Sequence, residues 1–504
     1  MNRNVLIGLG AFVVILVIIL IVVLSSGGGK KQKPLVFPSE PVTITFWGLF
    51  DEEDIYKESF DGYKQQHSNI TIKYVKKDEA TYEQDLLNAL AGGSAPDIFV
   101  LRNDQVFRYL DKLYPAPEQE NFYFVKPAKN EPKKDLPTQF NELFVKAASQ
   151  DLVYDNRIWG APMYMDTLAL YYNPKILETA LEEQSQSYSS SSFNISEEER
   201  QKRNDERQRI SKLLSEPPKN WNDFLEVAKL ATKRDGANIS RSAVALGTAD
   251  NVSRYTDILS LLMMQNNTQI TAADQKSCSF NLAIKKQDGS SVNPGTAALD
   301  FYTSFGNPAK ESYSYNNSFP DSVTAFGEGK TAMMFNYAYL SPYLKRKYFD
   351  LKFEIAPMPQ IKGIIDRIDF ASSYPLVVAK NTANPLASWD IIRFLTSKEN
   401  IKSFNQTAQK PTAILETTKE RYKESQTAYL ETTSGLQVFD AQSYTASSWY
   451  KAGQAQKMEE IFKIMINEVL AGKNSQEAID AAGTSCTNIL KDAEPLIERV
   501  KNEP

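Results

Sequence analysis

From Val42 onward the hydrophobic and polar positions fall into short strand-like runs separated by helical ones. VTITFWG is β-rich, a mixed polar and apolar segment runs from Asp51 to Gln66, and ITIKYV is a second strand candidate. In ATYEQDLLNALAGG, Leu86, Leu87 and Leu90 share one helical face and Gly92-Gly93 supplies a C-terminal cap, after which DIFVL reads as a buried strand. Strand, helix, strand, helix, strand is the order of a parallel sheet covered by helices, which predicts an α/β protein.

Further along, RIWGAPMYMDTLALYYN returns to strand-like sequence. PPKNWNDFLEVAKLATKRDG is a punctuated helix with Asn220 as N-cap, Lys233 and Arg234 in its last turn and Gly236 beyond. Between them the serine-rich, then densely charged run at about 182–212 reads as an insertion, partly disordered or a solvated helix. NPLASWDIIRFL opens another helix with Asn384 as cap and Pro385 at its first position, and the C-terminal third supplies two more. The acids of DEED at 51–54 read as first-turn residues that complement a helix dipole rather than as a catalytic pair.

Ahead of all this, Val5 to Leu24 is an uncharged apolar run of about the 20 residues a helix needs to cross hydrocarbon, longer than the core of a cleavable secretory signal. It reads as an uncleaved membrane anchor over 1–24, followed by a flexible tether over 25–41. Lys30, Lys31 and Lys33 after the span outnumber Arg3 before it, so charge counting alone places the body in the cytoplasm.

With 57 Lys and Arg against 62 Asp and Glu, the chain has no electrostatic reason to seek nucleic acid. Two cysteines without a CxxC pair and a single histidine, His67, leave no ligand set for a metal and no base for a Ser-His or Cys-His mechanism. His67 lies in YKQQHSNI and reads as a solvated surface residue at a helix end. No cofactor is expected. The stretch TAFGEGKTAMMFNYAY contains GEGKT, but a phosphate loop requires glycine where Thr324 stands and a buried strand before it, and neither is present.

Several segments, in order, resemble extracellular solute-binding proteins of the sugar-binding, maltose-binding type that serve ABC importers. They are ITFWG, LLNALAGGSAPDIFVL, GAPMYMDTLALYYNPKIL, PPKNWNDFLEVAKLAT, AFGEGKTAMMFN, FEIAPMPQI and SSWYKAGQAQKMEEIFKIMINEVLAGKNSQEAID. The resemblance covers about Val42 to the C-terminus and gives GEGKT a different meaning: a helix end, a turn and a buried strand. It implies a two-lobe, type II periplasmic-binding-protein-like fold with a hinge, the N-terminal lobe at 42–165 and 357–412 and the C-terminal lobe at 166–356 and 413–499. The crossings are expected near Asp166, Pro357 and Pro411.

By the same resemblance the protein is not an enzyme. It captures a saccharide, an oligosaccharide by expectation, for ABC permease subunits, with its body outside the cell on a single-pass anchor. A sugar presents flat C–H faces and a rim of hydroxyls, which aromatic platforms and planar polar groups match. The family's pattern, carried over position by position, nominates Asp166, Tyr339 and Trp449 as ligand-binding residues; Trp47 and Asp104 join them because they lie just past the first and third strands of the N-terminal lobe, at strand ends that suit ligand contact, with Arg102 a weaker candidate. DFASSYPLVVAK lacks the Gly-Gly, and AQSYTASSWY the prolines, that the family often has in these ligand loops. A surface sensor or adhesin and a glycosidase using two carboxylates are the alternative functions. Cys278 and Cys486 both fall in the C-terminal lobe, where oxidising surroundings favour a disulfide contributing roughly 2–4 kcal/mol; two buried thiols are the alternative.

Overall fold

The computed structural model describes residues 36–502 apart from 120, 130, 190–195, 287 and 428–434. The expected membrane anchor at 1–24 and most of the tether lie outside the described residues, among which no helix is long and apolar enough to cross a membrane.

Two five-stranded sheets organise residues 40–504, the larger of the chain's two compact units. The first contains β1 (Val42–Gly48), β2 (Ile70–Lys76), β3 (Ile98–Val100) and β4 (Leu113–Tyr114), completed by a strand from far along the chain. β1 runs parallel to β2 in register from Val42↔Ile70 to Gly48↔Lys76, and parallel to β3 on its other side. The parallel pairing follows from the connections, α1 (Glu53–Gln66) and α2 (Tyr82–Ala91), since a strand can return parallel only by way of a crossover. Glu53 and Asp54 do fall in the first turn of α1, while Asp51 precedes the helix and pairs with Lys410 at 2.6 Å. His67 is less exposed than its polar setting predicts, lying 3.4 Å from Asp390 and against the Tyr63 ring.

The second sheet is built from β6 (Ala169–Tyr172), β7 (Lys233–Asp235), β8 (Asn238–Val244), β9 (Thr331–Asn336) and β10 (Glu354–Ala356), in the order β10-β6-β9-β8-β7. Every residue of β9, TAMMFN, is buried, as expected of a central strand covered on both faces. GEGKT is the turn into this strand: the helix Ser322–Gly327 ends, Gly329 takes φ +68°, and Lys330 pairs with Glu328 at the surface.

A third, three-stranded sheet carries the chain between the other two. β5 (Asp166–Thr167) immediately precedes β6. β11 (Asp369–Ser372) leads into β12 (Leu376–Ala379), which is the strand that completes the first sheet in the order β2-β1-β3-β12-β4. β13 (Ala446–Ser447) pairs parallel to β11, and β5 pairs antiparallel to it. Asp166 therefore lies in a connecting strand, whereas Pro357 directly follows β10 and Pro411 lies between the helices Lys398–Ala408 and Leu415–Thr427, so neither proline falls in a strand of the connecting sheet.

The charged insertion is helical: Glu197–Ser215 starts at Ser196, whose hydroxyl accepts from the Glu199 N–H in a reciprocal capping box. Cys278 and Cys486 are joined by a disulfide with Cα atoms 5.8 Å apart, tying the segment after the helix Tyr255–Gln265 to the C-terminal helix Ser475–Asn502.

Candidate functional site

Asp166 is held by three backbone N–H groups. Its Oδ1 accepts from the N–H groups of Thr167 and Ala338, both at 2.8 Å, and its Oδ2 from that of Tyr339 at 3.3 Å. The connecting strand β5 is thereby fastened to the end of β9. Burial pushes the carboxyl up to about 7, with those N–H groups and Lys410 pulling the other way.

The segment that Asp166 holds presents Tyr339, a residue 48% exposed. Its hydroxyl accepts from Arg254 Nη2 at 2.7 Å, and the guanidinium lies 5.4 Å from the Tyr337 ring centroid and 5.5 Å from that of Tyr339. Tyr337 in turn donates to Asp257 at 2.8 Å. Arg254 is held at φ +66°, a left-handed conformation that arginine rarely adopts, and its Nε is buried without a partner. Nothing in the sequence DNVSRYTD marked it.

On the first-sheet side, Tyr374 follows β11 and meets Phe50 edge to face at 4.8 Å. Burial raises its hydroxyl to about 12, while the positive charges of Arg102 and Arg254 draw it down. The charges of Arg102 and Arg254 thus both act on one tyrosine. Asp104 accepts from Arg102 Nε at 2.6 Å and from Lys451 Nζ at 2.9 Å. Burial alone would raise its pKa, but Lys451 and then Arg102 outweigh burial and hold it at about 2. Arg102 also reaches Glu459 at 2.9 Å.

Trp449 is more enclosed than a stacking platform requires. Its Nε1 donates to Ser260 at 3.0 Å, its ring stacks on Phe462 at 6.0 Å, and Lys451 sits 5.3 Å over it. Together with Asn103, Asp104, Asp151 and Lys451 it lines a cavity of about 190 Å³. Beyond Lys451, Gly453 packs so tightly on Arg108 that a Cβ would come 2.2 Å from its backbone nitrogen. Trp47 is half-buried, with the Lys77 ammonium 4.3 Å above its ring. Two pairs of expected site residues are therefore brought together, Asp166 with Tyr339 and Asp104 with Trp449; Trp47 stands under its own lysine. Lys451, two residues past Trp449, was within reach of the sequence reading, whereas Arg254, Tyr374 and Glu459 had no local signal.

Residues 50–402, well over half of the chain, match the family described as "Bacterial extracellular solute-binding protein". The chain belongs to that family. Solute-binding proteins of this family hold their solutes rather than transform them, so the protein is not an enzyme and the glycosidase alternative falls. The maltodextrin-binding protein MdxE of Bacillus subtilis is 26% identical over 133 residues, a match spanning 25% of this chain and 27% of that relative. The cyclic α-maltosyl-1,6-maltose binding protein of Arthrobacter globiformis shares the fold at TM-score 0.66 and 13% identity, covering 90% of this chain and all of that one. The sugar-binding protein MalE of Xanthomonas citri does so at TM-score 0.63 and 16% identity, over 92% of this chain and all of its own. The two-lobe α/β fold implied by the sequence resemblance is thereby established.

Proposed function

We propose that this solute-binding protein captures an oligosaccharide between its two lobes and presents it to an ABC importer, its body held outside the cell by the N-terminal anchor. The lobes are those centred on the two large sheets, hinged at β5, β11 and β13. Tyr339 is the observation that carries this reading: a half-exposed ring, braced by Arg254 and set at the hinge by Asp166, which suits the flat face of a sugar. Trp449, Asp104, Asp166 and Trp47 complete the ligand set, with Asp104 and Asp166 accepting hydroxyl hydrogen bonds on closure. The maltose- and maltodextrin-type ligands in the relatives' names support a glucan as the first candidate.

Tryptophan fluorescence titrated with maltose, maltotriose and a wider glycan panel tests the reading. Tyr339→Ala is expected to weaken binding about tenfold, roughly 1.4 kcal/mol, because it removes the stacking face and leaves Arg254 without its hydroxyl. Saturating sugar is also expected to shrink the radius measured by small-angle scattering, as lobes close about the hinge. A panel on which no sugar changes either signal, while a peptide does, would sink the saccharide assignment.

Orientation has its own test. Protease added to intact cells is expected to release a soluble body by cutting within residues 25–41. A body that stays protected until the membrane is opened would place it in the cytoplasm, as the lysines after the span suggest.

A further inference from the structure

A cavity opens at one edge of the connecting sheet. The order of that sheet is β13-β11-β5, with Asp166 and its link to Tyr339 on the β5 edge. At the β13 edge, Thr445, Ala446 and Ser447 border a cavity of about 650 Å³, within the range of small-molecule sites. Its walls come from both lobes. Lys146, at the start of the helix Lys146–Leu152, stands on the first-lobe side; Asn267, Thr268 and Gln269, just beyond the helix Tyr255–Gln265, stand on the second.

The chemistry of the lining is specific. Two cations and no carboxylate line the cavity among the described residues. Arg367 is already neutralised by Asp369, with contacts at 2.8 and 3.1 Å, and it also donates to the Met358 carbonyl and to Gln442 Oε1. The excess positive charge is therefore that of Lys146, which is exposed and forms no ion pair among the described residues. Thr268 is 6% exposed, yet its Oγ1 has no hydrogen-bond partner. A buried hydroxyl left unpaired costs free energy unless something arrives to pair it. The amides of Asn267 and Gln269 add donors and acceptors suited to hydroxyl groups, and the Tyr444 ring closes one side.

We propose that this cavity is a second ligand site, for a small hydroxylated anion of the sugar-acid class, and that its occupancy is coupled to closure of the cleft. The coupling rests on the hinge reading above. A site walled by both lobes and bordered by a hinge strand changes shape when the lobes rotate, so its ligand favours one lobe arrangement over the other. The anion's carboxylate meets Lys146 and its hydroxyls meet Thr268, Asn267 and Gln269.

The test is calorimetric titration of the folded body with D-gluconate, with D-glucose as the uncharged comparison. Gluconate is expected to bind, glucose at least tenfold more weakly. Lys146→Glu is expected to abolish gluconate binding, Lys146→Arg to retain it, and Thr268→Val to weaken it several-fold. Lys146 is exposed and does not line the cavity that holds Trp449 and Asp104, so maltotriose affinity in the Lys146 variants, measured without gluconate, is expected to stay within twofold of the parent. Saturating maltotriose is expected to change gluconate affinity at least threefold, and gluconate to change maltotriose affinity by the same factor, since such coupling is reciprocal. No gluconate binding, binding that survives Lys146→Glu, or equal binding of glucose overturns the site. Gluconate binding with no reciprocal effect overturns the coupling. The gluconate titration needs no cleft ligand, so a protein that ignores every neutral saccharide yet loses gluconate on Lys146→Glu keeps this cavity and loses only the saccharide reading.

Discussion

Replacing both Cys278 and Cys486 with alanine is expected to lower the unfolding free energy by about 5 kcal/mol, the chain-entropy value for a closed loop of this length. The two residues are 208 positions apart, and the bond closes a loop that contains β9, β10, β11, β12 and β13. Breaking it frees the unfolded chain far more than it disturbs the folded one. Both positions are buried, Cys278 at 6% and Cys486 at 0% exposure, so alanine leaves small cavities that add to the loss rather than offset it. Denaturant unfolding of oxidised protein, reduced protein and the double variant separates the contributions. The reduced protein shares the intact packing, so its midpoint shift isolates the cross-link. Coincident curves for oxidised and reduced protein would mean that the bond contributes nothing.

Mild acidification is expected to stabilise this protein, the reverse of the usual carboxylate behaviour. Burial raises Asp166 to about 7 and both Asp151 and Asp440 to about 6. In the unfolded chain an aspartate titrates near 3.9, so folding takes up protons between these values. The contribution is fully present below about pH 4 and disappears as the pH rises through 6 and then 7. Between pH 8 and pH 5 Asp166 alone should add about 3 kcal/mol and the other two about 1 kcal/mol each. Asp104, held at about 2 by Lys451 and Arg102, is charged throughout that window and contributes no slope. Stability measured across this range should rise toward pH 5 in the parent and rise much less in Asp166→Asn. A flat profile, or one that falls toward pH 5, would show that the buried carboxyls do not titrate as their surroundings require.

Much of the scaffold was legible because its signals are local. The alternation from Val42 to Val100 fixes β1, α1, β2, α2 and β3 in order, and the Asn220 cap is realised as its side chain accepts from the Asp223 N–H. GEGKT resolved as a turn because one glycine and the flanking apolar run suffice to define it. The connecting strands were harder to read. β5 and β13 are two residues long, too short for any hydrophobic period to register. The site was the least legible part. Whether a tryptophan is open or enclosed depends on partners such as Ser260 and Phe462, and the charge state of Asp104 depends on Lys451, 347 positions away. Such pairings are decided by the tertiary fold and leave no mark in the neighbouring sequence.

The position of β12 bears on the order in which the protein can fold. It lies between β3 and β4 in the first sheet, yet Leu376–Ala379 is made long after every other strand of that sheet. As the chain emerges, its first-made sheet must wait with one flank of β3 open. The second sheet, contained between Ala169 and Ala356, is complete before β12 appears. The later-made sheet is therefore free to form first, and closure of the earlier one awaits a strand separated from β3 by the whole of the second sheet, a slow non-local step. Until then, the unpaired edge of β3, IFV, is the place where a chaperone or another copy of the chain would add a strand.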